Sequence, residues 1–296
     1  MTTQNLAIVT PSYSRDLERC RLTVDSVNRF VDEDIHHYLV IDRRDIPLFK
    51  RFEGPRTTIV TAEDLLPWWI VRIPRVRKVW MSFKTLPVRS WIVQQLMKLS
   101  VASAIDADVF CFVDSDVAFL RPTGRDAFVN DDGSVRLFRR PDHANMPSHQ
   151  RWHRSSARLL GLEERDYFGA DFIGNMITWR RDSLLAMQKH IESVTGKHWV
   201  RAVAGELHLS EYILYGIYAE HVAGFDASGH EPQAFDLCHC SWDYDINGPD
   251  DIDAFFKREL DERIRAVLVQ SNLKLSPEAY AKRVAELQEK LNAKPV

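Results

Sequence analysis

From Leu6 to Val113 short β-branched or aromatic runs alternate with stretches of helical periodicity, and that alternation limits the fold more than any other feature of the chain. Leu6 to Thr10 reads as a strand, and Asp16 to Val31 as an amphipathic helix with Leu17, Cys20, Val24, Val27 and Val31 at helical spacing. Tyr38 to Ile41 gives a second strand ending at Asp42, and Thr57 to Val60 a third. Trp91 to Ile105 is a helix that leads into the apolar run Val109-Phe110-Cys111-Phe112-Val113. Strands separated by helical patterns indicate βαβ units, so the expected class is α/β, with a mainly parallel sheet flanked by helices.

After Leu120 the pattern loosens. Val135 to Phe138 looks like a strand, and Pro141 to Arg154, with Pro147 and three histidines, reads as a loop that reaches over something. A strand-like stretch, Phe172 to Trp179, precedes a helix from Arg181 to Val194, and another helix spans Ser210 to Ala219. Beyond Pro249 the chain becomes charged and helical, and Ser276-Pro277 supplies an N-cap and first-turn proline for a last helix ending near Asn292. The expected organisation is one large domain, residues 1–248, with a helical C-terminal tail, residues 249–296, packed on it. At 296 residues and 45% hydrophobic content the chain can build a core of that size.

A formal net charge of -3 excludes a broadly basic nucleic-acid binder. The start of the chain has no basic stretch followed by an apolar run, and no run of about 18 apolar residues occurs elsewhere, so a cytoplasmic protein is expected. Four cysteines are too few for a disulfide scaffold. Cys238-His239-Cys240 has no second close ligand pair to complete a structural zinc site. One segment is strongly biased: residues 68–89 hold Arg72, Arg75, Arg77, Lys78, Lys84 and Arg89 among Trp68, Trp69, Trp80 and Phe83, with no acidic residue. Such a mixture suits anionic headgroups at a membrane surface, a phosphorylated acceptor or a nucleotide, and equally a surface loop whose tryptophans pack inward.

The apolar run ends in Asp114-Ser115-Asp116. Two carboxylates at a strand's carboxyl end can hold a divalent cation beside a nucleotide, and in a strand residues i and i+2 face one side. An Asp-Ser-Asp sequence also begins turns, because its side chains bond local amides. Ligands of open parallel sheets sit beyond the carboxyl ends of strands, where Thr10 and Tyr13 follow the first strand and Asp42 the second. Thr10 and Tyr13 are candidates to hold and stack a base, with Asp42 accepting from an imide nitrogen.

Val9-Thr10-Pro11-Ser12-Tyr13, Asp42, Gln94 to Leu99, Phe112 to Asp116 with Arg121-Pro122, Phe172 to Arg181 and Ser210 to Gly216 together resemble the A-type nucleotide-sugar glycosyltransferases. The resemblance lies nearest a bacterial group of largely uncharacterised glycosyltransferase-like proteins linked to cell-surface polysaccharide genes, and covers roughly residues 5–245. It implies a GT-A-like, Rossmann-like fold and transfer of a sugar from a nucleoside-diphosphate donor, a UDP-sugar before others, to a hydroxyl of a glycan or glycolipid. Mn2+ or Mg2+ would neutralise the departing diphosphate. Carried over to this sequence, it implies Asp116 as a metal ligand and Asp114 as a partner of metal or ribose. His239 is the candidate for a further ligand, against the ordinary reading of a packed histidine. Lys98 is a candidate for the diphosphate and Asn175 for a sugar hydroxyl. Glu211 or Glu206, with Asp171 in reserve, would serve as general base of an inverting transfer, although carboxylates at helix starts also stabilise the helix dipole. Two other classes fit part of the pattern: an Asp-x-Asp phosphatase or phosphotransferase, and a non-catalytic nucleotide-sugar binding protein. A nucleotidyltransferase would want a glycine-rich loop after the first strand, where Pro11-Ser12-Tyr13-Ser14-Arg15 has none.

Overall fold

A computed structural model describes residues 4–73, 76, 78–141, 146–273 and 275–293. β1 (Leu6–Ser12) leads through α1 (Leu17–Phe30) to β2 (His36–Ile41), and on past the short α2 (Ile46–Phe49) to β3 (Thr57–Thr61). A small antiparallel sheet follows, made of β4 (Ile70–Arg72), β5 (Val79–Ser82) and β6 (Val88–Arg89). Helix α3 (Ser90–Ser100) then brings the chain back to β7 (Val109–Phe112). β1 pairs in parallel with both β2 and β7, and β2 pairs in parallel with β3.

The second half runs through β8 (Val117–Phe119), β9 (Val135–Phe138), α4 (Pro147–Leu160), β10 (Ile177–Arg180), α5 (Arg181–Thr195), α6 (Trp199–Ala204) and α7 (Glu211–Ile217). It ends with α8 (Phe225–Ser228), β11 (His230–Gln233), β12 (Cys238–Cys240), α9 (Pro249–Lys257), β13 (Ala266–Leu268) and α10 (Pro277–Asn292). β10 joins β7 antiparallel, so the central sheet of the described residues has the order β10-β7-β1-β2-β3. The fold is therefore mixed α/β with a mainly parallel central sheet, flanking helices and a C-terminal helix, as the alternation predicts.

Strand alternation divides the core into layers. Ala7 and Val9 of β1, with Phe110 and Phe112 of β7, pack into the layer under α3, α5 and α7, while Leu6, Ile8, Val109 and Cys111 face the opposite layer. Helix α1 covers that second face with Val27 and Phe30, and packs Cys20 and Val24 on Leu39 and Ile41 of β2. Each large apolar side chain so buried contributes roughly 1.5–3 kcal/mol. Gly216 in α7 shows how tight the first layer is: a Cβ there would lie 2.0 Å from the Phe172 ring, so only glycine permits the approach.

Four expectations need correction. Of the segment Pro141 to Arg154, residues 142–145 lie outside the described residues, and from Pro147 it is helix α4, with proline at the first helical position where no hydrogen-bond donor is missed. The strand expected over Phe172 to Trp179 is formed only by Ile177–Arg180; before it Met176 takes a left-handed φ of 58° and the chain is irregular. The helix expected to Ala219 ends at Ile217 and continues as a wider π-turn segment, Tyr218–Ala223. The charged tail conceals a strand, β13, which pairs antiparallel with β8 and parallel with β12.

The basic aromatic segment forms the β4–β6 sheet, with Arg75 and Arg77 outside the described residues. Trp69 and Trp80 pack inward, whereas Trp68 is 76% and Phe83 61% exposed, their rings stacked at 6.4 Å. Among the described residues no helix is long and apolar enough to cross a membrane.

Candidate functional site

A cleft of roughly 510 Å3 opens beyond the carboxyl ends of β1 and β7. Helix α3 supplies one wall: Trp91, Gln94, Gln95 and Lys98 recur at helical spacing and all face the cleft. Ser210 caps α7 with its hydroxyl toward Ile213 N and sets Glu211 and Tyr212 opposite Lys98. Helix α4 contributes His149 and Trp152, the residues after β12 contribute Trp242, and the end of β13 with the residues after it contributes Leu268, Gln270 and Ser271.

The aspartate pair lies just past the end of β7, in a turn closed by Val117 N donating to Asp114 O at 3.2 Å. The turn expected of Asp-Ser-Asp is formed, and it carries both carboxylates into the cleft wall. Asp114 N donates to Asn175 Oδ1 at 3.2 Å, and Asp116 Oδ2 accepts from Ser271 N at 3.0 Å. Burial, and next the Asp114 carboxylate, push the Asp116 carboxyl up to about 7. Asp16, not singled out in the sequence, also lines the cleft and pairs with Arg19 at 3.2 Å; burial raises its carboxyl despite that arginine.

Lys98 is buried at the base of the cleft. Its Nζ donates to Tyr212 OH at 2.7 Å and stands 3.0 Å from Glu211 Oε1 and 3.7 Å from Asp114 Oδ1. Burial works against the ammonium, but Tyr212, Glu211 and Asp114 outweigh it and hold the lysine well above its usual range. Two buried amides are unmatched among the described residues: Gln95, which lines the cleft, on both polar atoms, and Asn175, behind the aspartate turn, on Nδ2. Leaving such groups unpaired costs about 1–3 kcal/mol each, which a polar ligand would offset.

Past Pro11, Ser12, Tyr13 and Gln94 the cleft continues into a second hollow of roughly 350 Å3. Asp42 lies there with Arg44, Arg72, Lys78 and Trp80. Asp42 Oδ2 meets Arg72 Nη1 at 2.5 Å and Arg44 Nη2 at 3.5 Å, and burial, exceeding the effect of Arg72, raises its carboxyl. The Arg72 guanidinium lies 4.9 Å from the Trp80 ring centre.

The structure thus brings Tyr13, Asp42, Lys98, Asp114, Asp116, Asn175 and Glu211 to one continuous cleft or its wall. Other candidates stand elsewhere. Thr10 lies within the sheet, its hydroxyl 2.9 Å from His37 Nε2. Glu206 pairs with Arg158 at 2.9 Å and lines a separate hollow. His239 stacks on Phe255 at 4.1 Å, lies 3.3 Å from Phe255 O and does not line the cleft. Among the described residues no group of three or more His, Cys, Asp or Glu side chains is arranged for a metal, so the set Asp114, Asp116 and His239 is not assembled. Asp171 is 1% exposed behind the wall and bonds to His149 Nδ1. His149, Trp152 and Trp91 escaped sequence reasoning; Pro147 ahead of His149 and Trp152, one helical turn apart, is the signal that would have found the first two. Trp91 and Trp152 stack at 6.2 Å.

The model of a family of unknown function, DUF6492, matches residues 3–292. The chain belongs to this family. No curated protein matches this DUF6492 member. Among solved structures it is similar to a crystal structure of an active-site mutant of LgtC, at 13% identity and a TM-score of 0.47, covering 98% of this chain and 97% of that chain. Likeness at that level identifies no chemistry, and the functional reading of this DUF6492 chain rests on its own cleft.

Proposed function

We propose that the chain is a glycosyltransferase that moves a sugar from a nucleoside diphosphate, with UDP-sugars the first donors to test, to a hydroxyl of a glycan or glycolipid. The carrying observation is one cleft that is lined by the Asp114–Asp116 turn, the Trp91–Trp152 stack and Trp242, and that opens past Tyr13 and Gln94 into a mixed hollow of Asp42, Arg72 and Trp80. Such a donor and its acceptor need these three kinds of surface: one for the nucleoside, one for the diphosphate and one for sugar rings. Residues 1–248 would form the catalytic domain and 249–296 an extension whose Ser271 N fixes Asp116.

A divalent cation fits the donor set in a particular way. Two carboxylates with no third ligand gathered among the described residues suit Mg2+ or Mn2+ that completes its shell from phosphate oxygens and water, rather than a closed protein cage. Asp114 and Asp116 would hold the ion, which when bound supplies charge neutralisation at the leaving diphosphate. The chain's own residues do the rest. Lys98 sets a positive charge beside Asp114, Tyr13 and Asp42 meet the nucleoside, and the unmatched amides of Gln95 and Asn175 bond sugar or phosphate oxygens. Aromatic walls of this kind present apolar faces to sugar rings. The exposed Trp68–Phe83 pair, with Lys84 Nζ 5.7 Å from the Trp68 ring, would rest on the membrane's cytoplasmic face where a glycolipid acceptor is built.

The test is a panel of nucleotide sugars with Mn2+, monitoring release of nucleoside diphosphate and identifying the sugar product. Release from one donor class, lost in Asp114→Asn, is expected; hydrolysis of generic phosphate esters instead would favour a phosphatase.

A further inference from the structure

We propose that His149, oriented by Asp171, is the general base that takes the proton from the acceptor hydroxyl. The inference rests on the glycosyl-transfer reading and assigns the part of it that the aspartate turn leaves open. An acceptor oxygen that attacks an anomeric carbon must lose its proton to a group within hydrogen-bond reach. The carboxylates expected for that task are engaged: Glu211 holds Lys98 at 3.0 Å, Glu206 is paired with Arg158 off the cleft, and Asp171 is 1% exposed. His149 lines the cleft together with Asp114 and Asp116.

The geometry around the imidazole is that of a base with an orienting carboxylate. His149 stands in the first turn of α4, directly after Pro147 and Ser148, and its ring lies 4.7 Å from the Trp152 ring. Its Nδ1 is bonded to Asp171 Oδ2, while Asp171 Oδ1 accepts from Ile173 N at 3.0 Å. The carboxylate is thereby fixed on its own side, holds the proton on Nδ1, and makes Nε2 the basic nitrogen. In the step, the acceptor O–H proton passes to Nε2 and the oxygen's electron pair forms the new bond to the anomeric carbon. The bond from that carbon to the diphosphate oxygen breaks with its pair going to the diphosphate. The imidazolium, stabilised by Asp171, returns its proton to water after product leaves. Asp171 acts only through His149 and is a positioning residue.

Other titratable or charged groups face this pair. His153 lies one turn further along α4, His221 lies beyond it across Phe168, and the backbone of Arg140 bridges to Asp171. From the cleft side come Asp114, Asp116, Asp16, Glu211 and Lys98. Burial first, against the pull of Asp171, pushes the His153 imidazole down to about 4.

The experiment compares the full-length wild type, His149→Gln, Asp171→Asn and Glu211→Gln, with two readouts. One is calorimetric binding of UDP with Mn2+; the other is UDP release from UDP-glucose, UDP-galactose and UDP-N-acetylglucosamine, each with a saccharide acceptor, from pH 5 to 9. The expected result is that His149→Gln keeps UDP affinity within about threefold and loses turnover by about 10²- to 10⁴-fold. Asp171→Asn should lower kcat at least tenfold with KM held within about threefold, a split that mere loosening of α4 and the cleft wall would not produce. If His149→Gln fails to fold, His149→Asn and the kcat of Asp171→Asn decide the matter. Turnover within about threefold of wild type in the His149 variant, or an unchanged kcat in Asp171→Asn, overturns the dyad and leaves the transferase reading standing. Failure of the wild type to bind UDP overturns the transferase reading itself.

Discussion

Lys98 Nζ stands 3.0 Å from Glu211 Oε1, joining the middle of α3 to the first turn of α7 through a pair in which both side chains are nearly excluded from solvent. Two consequences follow from burial of both charges. The pair fixes the wall of the cleft that Asp114 faces, and it commits Glu211 to a structural partner.

Removing one member of such a pair leaves the other buried and unpaired, which costs about 3–5 kcal/mol. Lys98→Met and Glu211→Gln should each lower the urea midpoint. The double variant should lose less than the sum of the two, by about 0.5–3 kcal/mol of coupling. Strict additivity in the unfolding free energies would contradict the pairing.

Buried histidines, His37, His153 and His230 above all, give the protein a pH signature. Burial pushes His37 down to about 3 and His153 and His230 to about 4. Their folded values lie below the ordinary value near 6.5, so the stability they contribute is full above pH 6.5 and is lost as pH falls toward 4. The slope is about 1.4 kcal/mol per pH unit for each ring. Asp116 and Asp236, raised to about 7 and about 6 mainly by burial, act oppositely: the folded state binds their protons first and gains stability on acidification. NMR titration of the imidazoles isolates the histidine part. His37, His153 and His230 should remain neutral at pH 5, and titration near 6.5 would show that they are not buried as described.

The Trp68–Phe83 patch makes a separate forecast. With Lys84 beside it, the double variant Trp68→Ala/Phe83→Ala should sediment several-fold less with anionic liposomes than wild type, and 1 M salt should weaken only the basic contribution. Equal sedimentation of variant and wild type would remove the membrane from the account.

The sequence revealed the central sheet because β1, α1, β2, β3, α3 and β7 follow local rules: β-branched runs and helical spacing coincide with what tertiary packing requires. It concealed β13, a three-residue strand whose partners β8 and β12 are remote in sequence and whose neighbours are charged helices. It misread α4, since Pro147 and clustered histidines resemble loop chemistry when the helix they begin is only weakly apolar. The gathering of Asp42, Lys98, Asp114 and Asp116 at the cleft was legible because they sit at strand ends or on a periodic helix face. The environment of His239 was not: which side of β12 packs on Phe255 is decided by α9, sixteen residues further on. The same limit hid Thr10, whose partner His37 comes from the adjacent strand.

The central claim is that the Asp114–Asp116 turn anchors a nucleoside diphosphate through a divalent cation, and titration calorimetry of UDP into the protein with and without Mn2+ tests it most directly. Wild type should bind UDP only with the metal present, and Asp116→Ala should weaken that binding at least tenfold, about 1.4 kcal/mol or more. Binding of UDP that is indifferent to Mn2+ and unchanged in Asp116→Ala, or no binding by the wild type at all, would contradict the account.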